Sequence, residues 1–142
     1  IWHAGDIGSL ELIKLLKRNV KVNAVYGNID GEKIRSSFNE YLSFFCEKIS
    51  ILLIHIAGKP FYYNKKTNEL INKYKPKILV CGHSHILKVT NDKKNNLLYI
   101  NPGAAGKFGL HKKRTMIKLE IINNDIKNLE VIELGKYKKK LP

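Results

Sequence analysis

Lys77-Ile78-Leu79-Val80-Cys81-Gly82-His83-Ser84-His85 is the stretch on which the reading of this chain turns. Its apolar first half reads as a buried strand, and a glycine at the strand end releases two imidazoles. Three more stretches have the same form. Ile1-Trp2-His3 leads to Gly5-Asp6, Val22-Asn23-Ala24-Val25-Tyr26 leads to Gly27-Asn28, and Ile49-Ser50-Ile51-Leu52-Leu53-Ile54 leads to His55. The four strand ends are expected side by side along one edge of a sheet, where open α/β proteins place their sites. They deliver one carboxylate, one amide and three imidazoles, a donor set suited to borderline divalent metals rather than to calcium, which takes oxygen alone. Asp6 is the only one of the five with two anionic oxygens. Asn28 adds a neutral carbonyl oxygen and so leaves a divalent site net positive. His83 and His85 stand two apart, so in an extended segment both would face one side. His3 reads as a packed neighbour rather than a ligand.

The order Gly5-Asp6, Gly27-Asn28, His55, Gly82-His83-Ser84-His85 resembles the calcineurin-like metallophosphoesterase superfamily. Ile-Trp-His-Ala-Gly-Asp at 1–6, Tyr-Gly-Asn-Ile-Asp at 26–30, Gly-His-Ser-His at 82–85 and Asn-Pro-Gly-Ala at 101–104 are similar to its small bacterial phosphodiesterase branch. That branch includes the relative that serves as a scaffold subunit of the retromer coat. The resemblance covers nearly the whole chain. It implies an α/β fold of two packed β-sheets flanked by helices, an αββα sandwich. It further implies two metals per full-length site, bridged by Asp6 and a hydroxide that attacks a phosphodiester. Asp6, Asn28, His55 and His83 would hold one metal, and Asp6 and His85 would share the other with a D-x-H block. Asp6, Asn28 and His83 are the implied catalytic residues. Mn2+ is the expected metal, with Zn2+, Fe2+, Co2+ and Ni2+ also suited.

The D-x-H block is absent, the chain opens at Ile1, and Met116 is its one methionine. The expectation is therefore a single domain over 1–142 that lacks its first βα unit, with a flexible basic tail over 136–142. The resemblance also bears on Asn28-Ile29-Asp30. Many superfamily members carry histidine after the Gly-Asn pair, as the acid for the leaving oxygen, and Ile29 stands there instead. The small bacterial branch lacks that histidine too. Asp30 is expected to cap the following turn or to orient Asn28.

A chain of 142 residues is one domain with room for a core that needs no disulfide. Cys46 and Cys81 lie in apolar strands and read as small buried hydrophobes, which suits a reducing cytosol. The longest apolar run, Ile49 to Ala57, is far short of the roughly 20 residues of a membrane span, and a cytoplasmic location is expected. The net charge of +14 points toward nucleic acid, but the composition points away from it. Arg18, Arg35 and Arg114 are the only arginines, whereas Lys, Asn and Ile make up roughly two-fifths of the chain. Those residues share A- and T-rich codons, and phosphate readers favour the arginine fork. No specific nucleic-acid partner is expected; a small phosphodiester is. A non-catalytic interaction scaffold with a remnant metal site is the alternative.

Elsewhere the pattern predicts a helix over 9–17 capped by Ser9, with Leu12, Ile13 and Leu16 inward. A hairpin follows over 41–46 and 49–55, then a helix over 65–74 ended by Pro76. Strands are expected over 85–90, 97–101, 114–122 and 126–134, the last two joined at Asn123-Asn124. Asn101 to Ala104 form a type II turn, which the resemblance places near the site without making it a ligand. Lys107, His111 and Arg114 follow it, as surface charge or as phosphate ligands.

Overall fold

The computed structural model describes residues 1–107, 109 and 112–136. Its frame is a five-stranded sheet in the order β3-β4-β7-β9-β8, built from β3 (Tyr41–Cys46), β4 (Ile49–Ile54), β7 (Ile78–Val80), β9 (Leu97–Pro102) and β8 (Leu87–Asp92). β4, β7 and β9 run parallel, and β3 and β8 pair antiparallel to their neighbours. The unbroken apolar runs of β4 and β7 suit strands covered on both faces. Alternate side chains divide accordingly: Ile49, Ile51 and Leu53 enter one core, and Leu52 and Ile54 the other.

On the Leu52 face lies α3 (Lys65–Tyr74), through Leu70 and Ile71. Asn64 caps it by accepting from Thr67 N at 2.8 Å, and Lys75, left-handed at φ 47°, ends it before Pro76. On the Ile51 face lie two strand pairs that are not hydrogen-bonded to each other, parallel β1–β2 (Trp2–Ala4, Asn23–Val25) and antiparallel β10–β11 (Lys113–Ile122, Asp125–Lys136). Outside β1–β2 packs α1 (Leu10–Lys17), whose Ile13 is buried beside Ile7, Ala24 and Ile34. The layers thus run helix, sheet, sheet, helix, the expected sandwich.

Four expectations need correction. The strands carrying the motifs do not share one sheet edge: β1 and β2 belong to one layer, β4 and β7 to the other. The inward face of α1 is Leu10, Ile13 and Leu16, with Leu12 at 41% exposure, because the apolar neighbours lie at Ile7 and Ala24. Lys136 pairs with Lys113 in β11 rather than opening a tail, while 137–142 lie outside the described residues. The segment Gly82–His85 is a turn, with His83 and His85 both left-handed at φ 66° and 57°, so strand alternation does not govern where they point. Three short elements were not expected: α2 (Glu32–Arg35) and the hairpin β5–β6 (Gly58–Lys59, Tyr62–Tyr63).

Candidate metal centre

Each motif sits immediately beyond a strand end, and four of the five predicted ligands meet. Asn28 Oδ1 lies 2.9 Å from His55 Nε2 and 2.8 Å from His83 Nδ1. Asp6 Oδ1 lies 3.3 Å from His55 Nε2 and accepts from Ile29 N at 3.3 Å. The two imidazoles cross edge to face, with centroids 5.3 Å apart. Asp6, like His83, holds a left-handed backbone, at φ 54°. A non-glycine residue in that region is uncommon and concentrates at functional sites. His85, also left-handed and half-buried, follows on the same turn as His83.

Proton accounting shows what the cluster lacks. His55 Nδ1 is 2.6 Å from the Ala4 carbonyl, which can only accept, so Nδ1 carries the hydrogen. In the neutral ring, Nε2 then presents a lone pair to two oxygens, Asn28 Oδ1 and Asp6 Oδ1. Acceptors facing acceptors are relieved by a second proton on His55, by turning the Asn28 amide so that its NH2 meets both rings, or by a cation among them. The spacing fits a cation. Adjacent ligands about 2.1 Å from one ion, at right angles, lie about 3.0 Å apart. The separations here are 2.8, 2.9 and 3.3 Å. Among the described residues no group of three His, Cys, Asp or Glu side chains forms a metal cage by itself. The amide of Asn28 occupies the space between the rings, and only with its oxygen counted is the donor set whole.

Sequence reasoning left the supports of this cluster largely unread. Asp30 is buried at 4% exposure and accepts from Gly27 N at 2.8 Å, Ile7 N at 3.0 Å and Gly8 N at 3.0 Å. Burial would raise its pKa, but those backbone donors outweigh burial and hold it below the ordinary value. One carboxylate therefore ties the Asp6 loop to the Asn28 loop, which is more than a turn cap. Arg35, from α2, grips the same loop from the other side. Its Nε donates to Asp30 O at 2.7 Å and its Nη2 to Gly27 O and Asn28 O, both at 3.0 Å. Its guanidinium also lies 4.7 Å from the centre of the Tyr26 ring. The signal available for Asp30 was its place two residues after Asn28; Arg35 gave none.

Asn101 Nδ2 donates to Gly82 O at 2.9 Å and Ser84 Oγ at 3.0 Å, so the Asn-Pro-Gly-Ala turn braces the histidine turn, and Gly103 sits at φ 78° as a type II turn asks. His3 is packed, its Nδ1 buried without a partner; burial lowers its pKa against the pull of Asp30 and Asp6. Cys81 is buried, its pKa pushed up to about 11 chiefly by desolvation, which keeps it a thiol. Arg114 Nε donates to Ala105 O at 2.8 Å, and His111 lies outside the described residues.

The sequence profile described as the calcineurin-like phosphoesterase superfamily domain matches residues 1–124. The chain belongs to the calcineurin-like phosphoesterase superfamily. Solved structures of the same fold include Vps29 of Entamoeba histolytica complexed with Zn2+, at TM-score 0.69 and 16% identity over 96% of this chain and 81% of that one. An archaeal phosphodiesterase aligns at TM-score 0.71 and 22% identity over 94% and 81%. An uncharacterised predicted phosphoesterase of Streptococcus pneumoniae aligns at 0.68 and 19% over 94% and 72%. No curated protein matches. Identities this low speak for the fold of this superfamily member and not for its substrate.

Proposed function

We propose that this superfamily member is a metal-dependent phosphodiesterase in which Asp6, Asn28, His55 and His83 would hold one metal and Asp6 and His85 would contribute to a second. The observation that carries the reading is the convergence of His55 Nε2, Asn28 Oδ1 and Asp6 Oδ1, with His55 Nδ1 turned to Ala4 O. The family supports it, as do a phosphodiesterase and a zinc-bearing Vps29 among the structural neighbours. A bound Mn2+-type ion supplies charge for a phosphoryl oxygen and a neutral-pH water nucleophile.

The chain's own residues do the rest. Asp6 brings the negative charge, while Asn28, His55 and His83 add none, so the loaded site stays positive toward an anionic ester. Ala4 O fixes the His55 tautomer and ring plane, a support of the kind that raises ligand basicity. Ile29 is 74% exposed and carries no proton to give, so the leaving oxygen departs unprotonated by that position. Rates across aryl phosphodiesters should therefore fall steeply as the leaving group becomes less acidic.

A protein-interaction scaffold is the second reading, favoured by the exposed Ile29, Ile56 and Ile86 beside the cluster. Titration of the full-length protein with Mn2+ or Zn2+, followed by hydrolysis of bis(p-nitrophenyl) phosphate with and without chelator, separates the two. Metal binding with no turnover would favour the scaffold.

A further inference from the structure

A cavity of about 500 Å³ opens directly off the cluster, with Asn28 and His55 in its wall. That volume lies within the range of small-molecule sites. Beyond the two ligands its wall combines Ile54, Ile56 and Tyr26 with the charged Arg35, Glu40, Lys65 and Lys66 and the polar Asn64. The cations there are largely engaged: Lys66 pairs with Glu40, and Arg35 bonds three backbone carbonyls. What remains for a ligand is the apolar part of that wall, together with Lys65, beside a candidate metal-binding group. The placing of isoleucine agrees. Ile56 follows His55, Ile29 follows Asn28, and Ile86 follows His85, at 41%, 74% and 66% exposure. Codon bias explains an abundance of isoleucine but not its exposure at these positions, since an exposed apolar group gains nothing from water. Ile56 alone of the three lines the cavity.

The geometry points to this cavity as a subsite for a planar apolar substituent, an aryl or similar ring, on the ester group that stays with phosphorus. The inference rests on the phosphodiesterase reading for its orientation, with phosphorus at Asn28 and His55. A ring seated against Ile56, with Tyr26 beside it, leaves water on binding, and a methyl in its place leaves Ile56 wet. Aryl-bearing diesters are thus preferred over alkyl-bearing diesters that share the same leaving group.

The test uses the full-length, metal-loaded protein and two probe pairs. Phenylphosphonate and methylphosphonate report binding without turnover. Bis(p-nitrophenyl) phosphate and methyl p-nitrophenyl phosphate share a leaving group and report the same preference in kcat/KM. A preference of about tenfold or more for the aryl member of each pair is expected. Ile56→Ser should abolish it, and Ile29→Ser, outside the cavity, should keep it. Metal affinity measured on each variant shows that the fold survives. Equal affinity for the two phosphonates, or a preference that Ile56→Ser leaves intact, overturns the subsite. Aryl preference without hydrolysis of either diester overturns the phosphodiesterase reading and leaves the subsite standing.

Discussion

Gly27→Ala is the substitution that probes the cluster most sharply. Gly27 has no left-handed backbone, so alanine meets no conformational objection there. The new methyl, however, would sit 2.8 Å from Asp6 Cγ and closer still to Asp6 Oδ1 and the Asp6 amide nitrogen. Ordinary contact begins at 3.4 Å, so Asp6 must retreat by at least about 0.6 Å (3.4 − 2.8). It has little room to do so, because its own backbone is left-handed and Asp30 pins the next two amides, Ile7 N and Gly8 N. Metal ligands tolerate errors of about 0.2 Å. A shift three times larger should weaken the ion by about 10- to 100-fold, and the overpacking should cost about 1–3 kcal/mol of stability. Calorimetric titration with Mn2+ or Zn2+ reads the first effect and urea unfolding the second. Gly31→Ala is the control, since a methyl there has nothing within 4 Å. Wild-type metal affinity in Gly27→Ala would refute Asp6 as a ligand, and equal losses in both variants would mean that the glycine-to-alanine change itself is being measured.

Three more outcomes are expected. His83→Ala should weaken the tighter metal site more than His85→Ala does, because His83 Nδ1 contacts Asn28 Oδ1 in that site; titration of both variants checks the order. Arg35→Lys should lower metal affinity nearly as much as Arg35→Ala, about tenfold, since one ammonium cannot replace a fork that reaches three carbonyls. Asp92, buried and accepting from Tyr63 OH at 2.9 Å and Asn95 Nδ2 at 2.6 Å, has its pKa lowered because these bonds outweigh burial. A depressed carboxyl adds stability above its unfolded value of about 3.9 and loses it as pH falls through the lower folded value. Asp92→Asn should therefore be less stable than wild type at neutral pH and show a flatter acid limb in urea melts between about pH 5 and 2.

What could be read from the chain was what is local. Ile51–Ile54 and Ile78–Val80 announced themselves as continuous apolar runs, and Ser9 and Pro76 marked helix ends through chemistry within a few residues. The candidate ligands were legible because each lies just past a strand. Hidden in the sequence was anything decided by partners far along the chain. Ile7 N, Gly8 N and Gly27 N converge on Asp30 across 23, 22 and 3 residues, and no periodicity reports that. The division of the four motif strands between two layers was equally hidden, since a strand's apolar pattern shows that it is covered but not by what. The four-residue α2 is too short to show a face, yet it carries Arg35.

The candidate ligands come in pairs from opposite layers, Asp6 and Asn28 from beyond β1 and β2, His55 and His83 from beyond β4 and β7. The cluster is therefore a clasp across a seam rather than an ornament on one surface. Its dimensions are set by how the layers rest on each other, including the edge-on meeting of Trp2 and Phe44, whose centroids are 5.7 Å apart. Core residues with no chemistry of their own thus act as spacers for the cluster, and repacking the seam would retune it from a distance. An ion held there would in turn fasten the layers together, so that the tightness of the clasp and the stability of the sandwich would be one quantity seen from two ends.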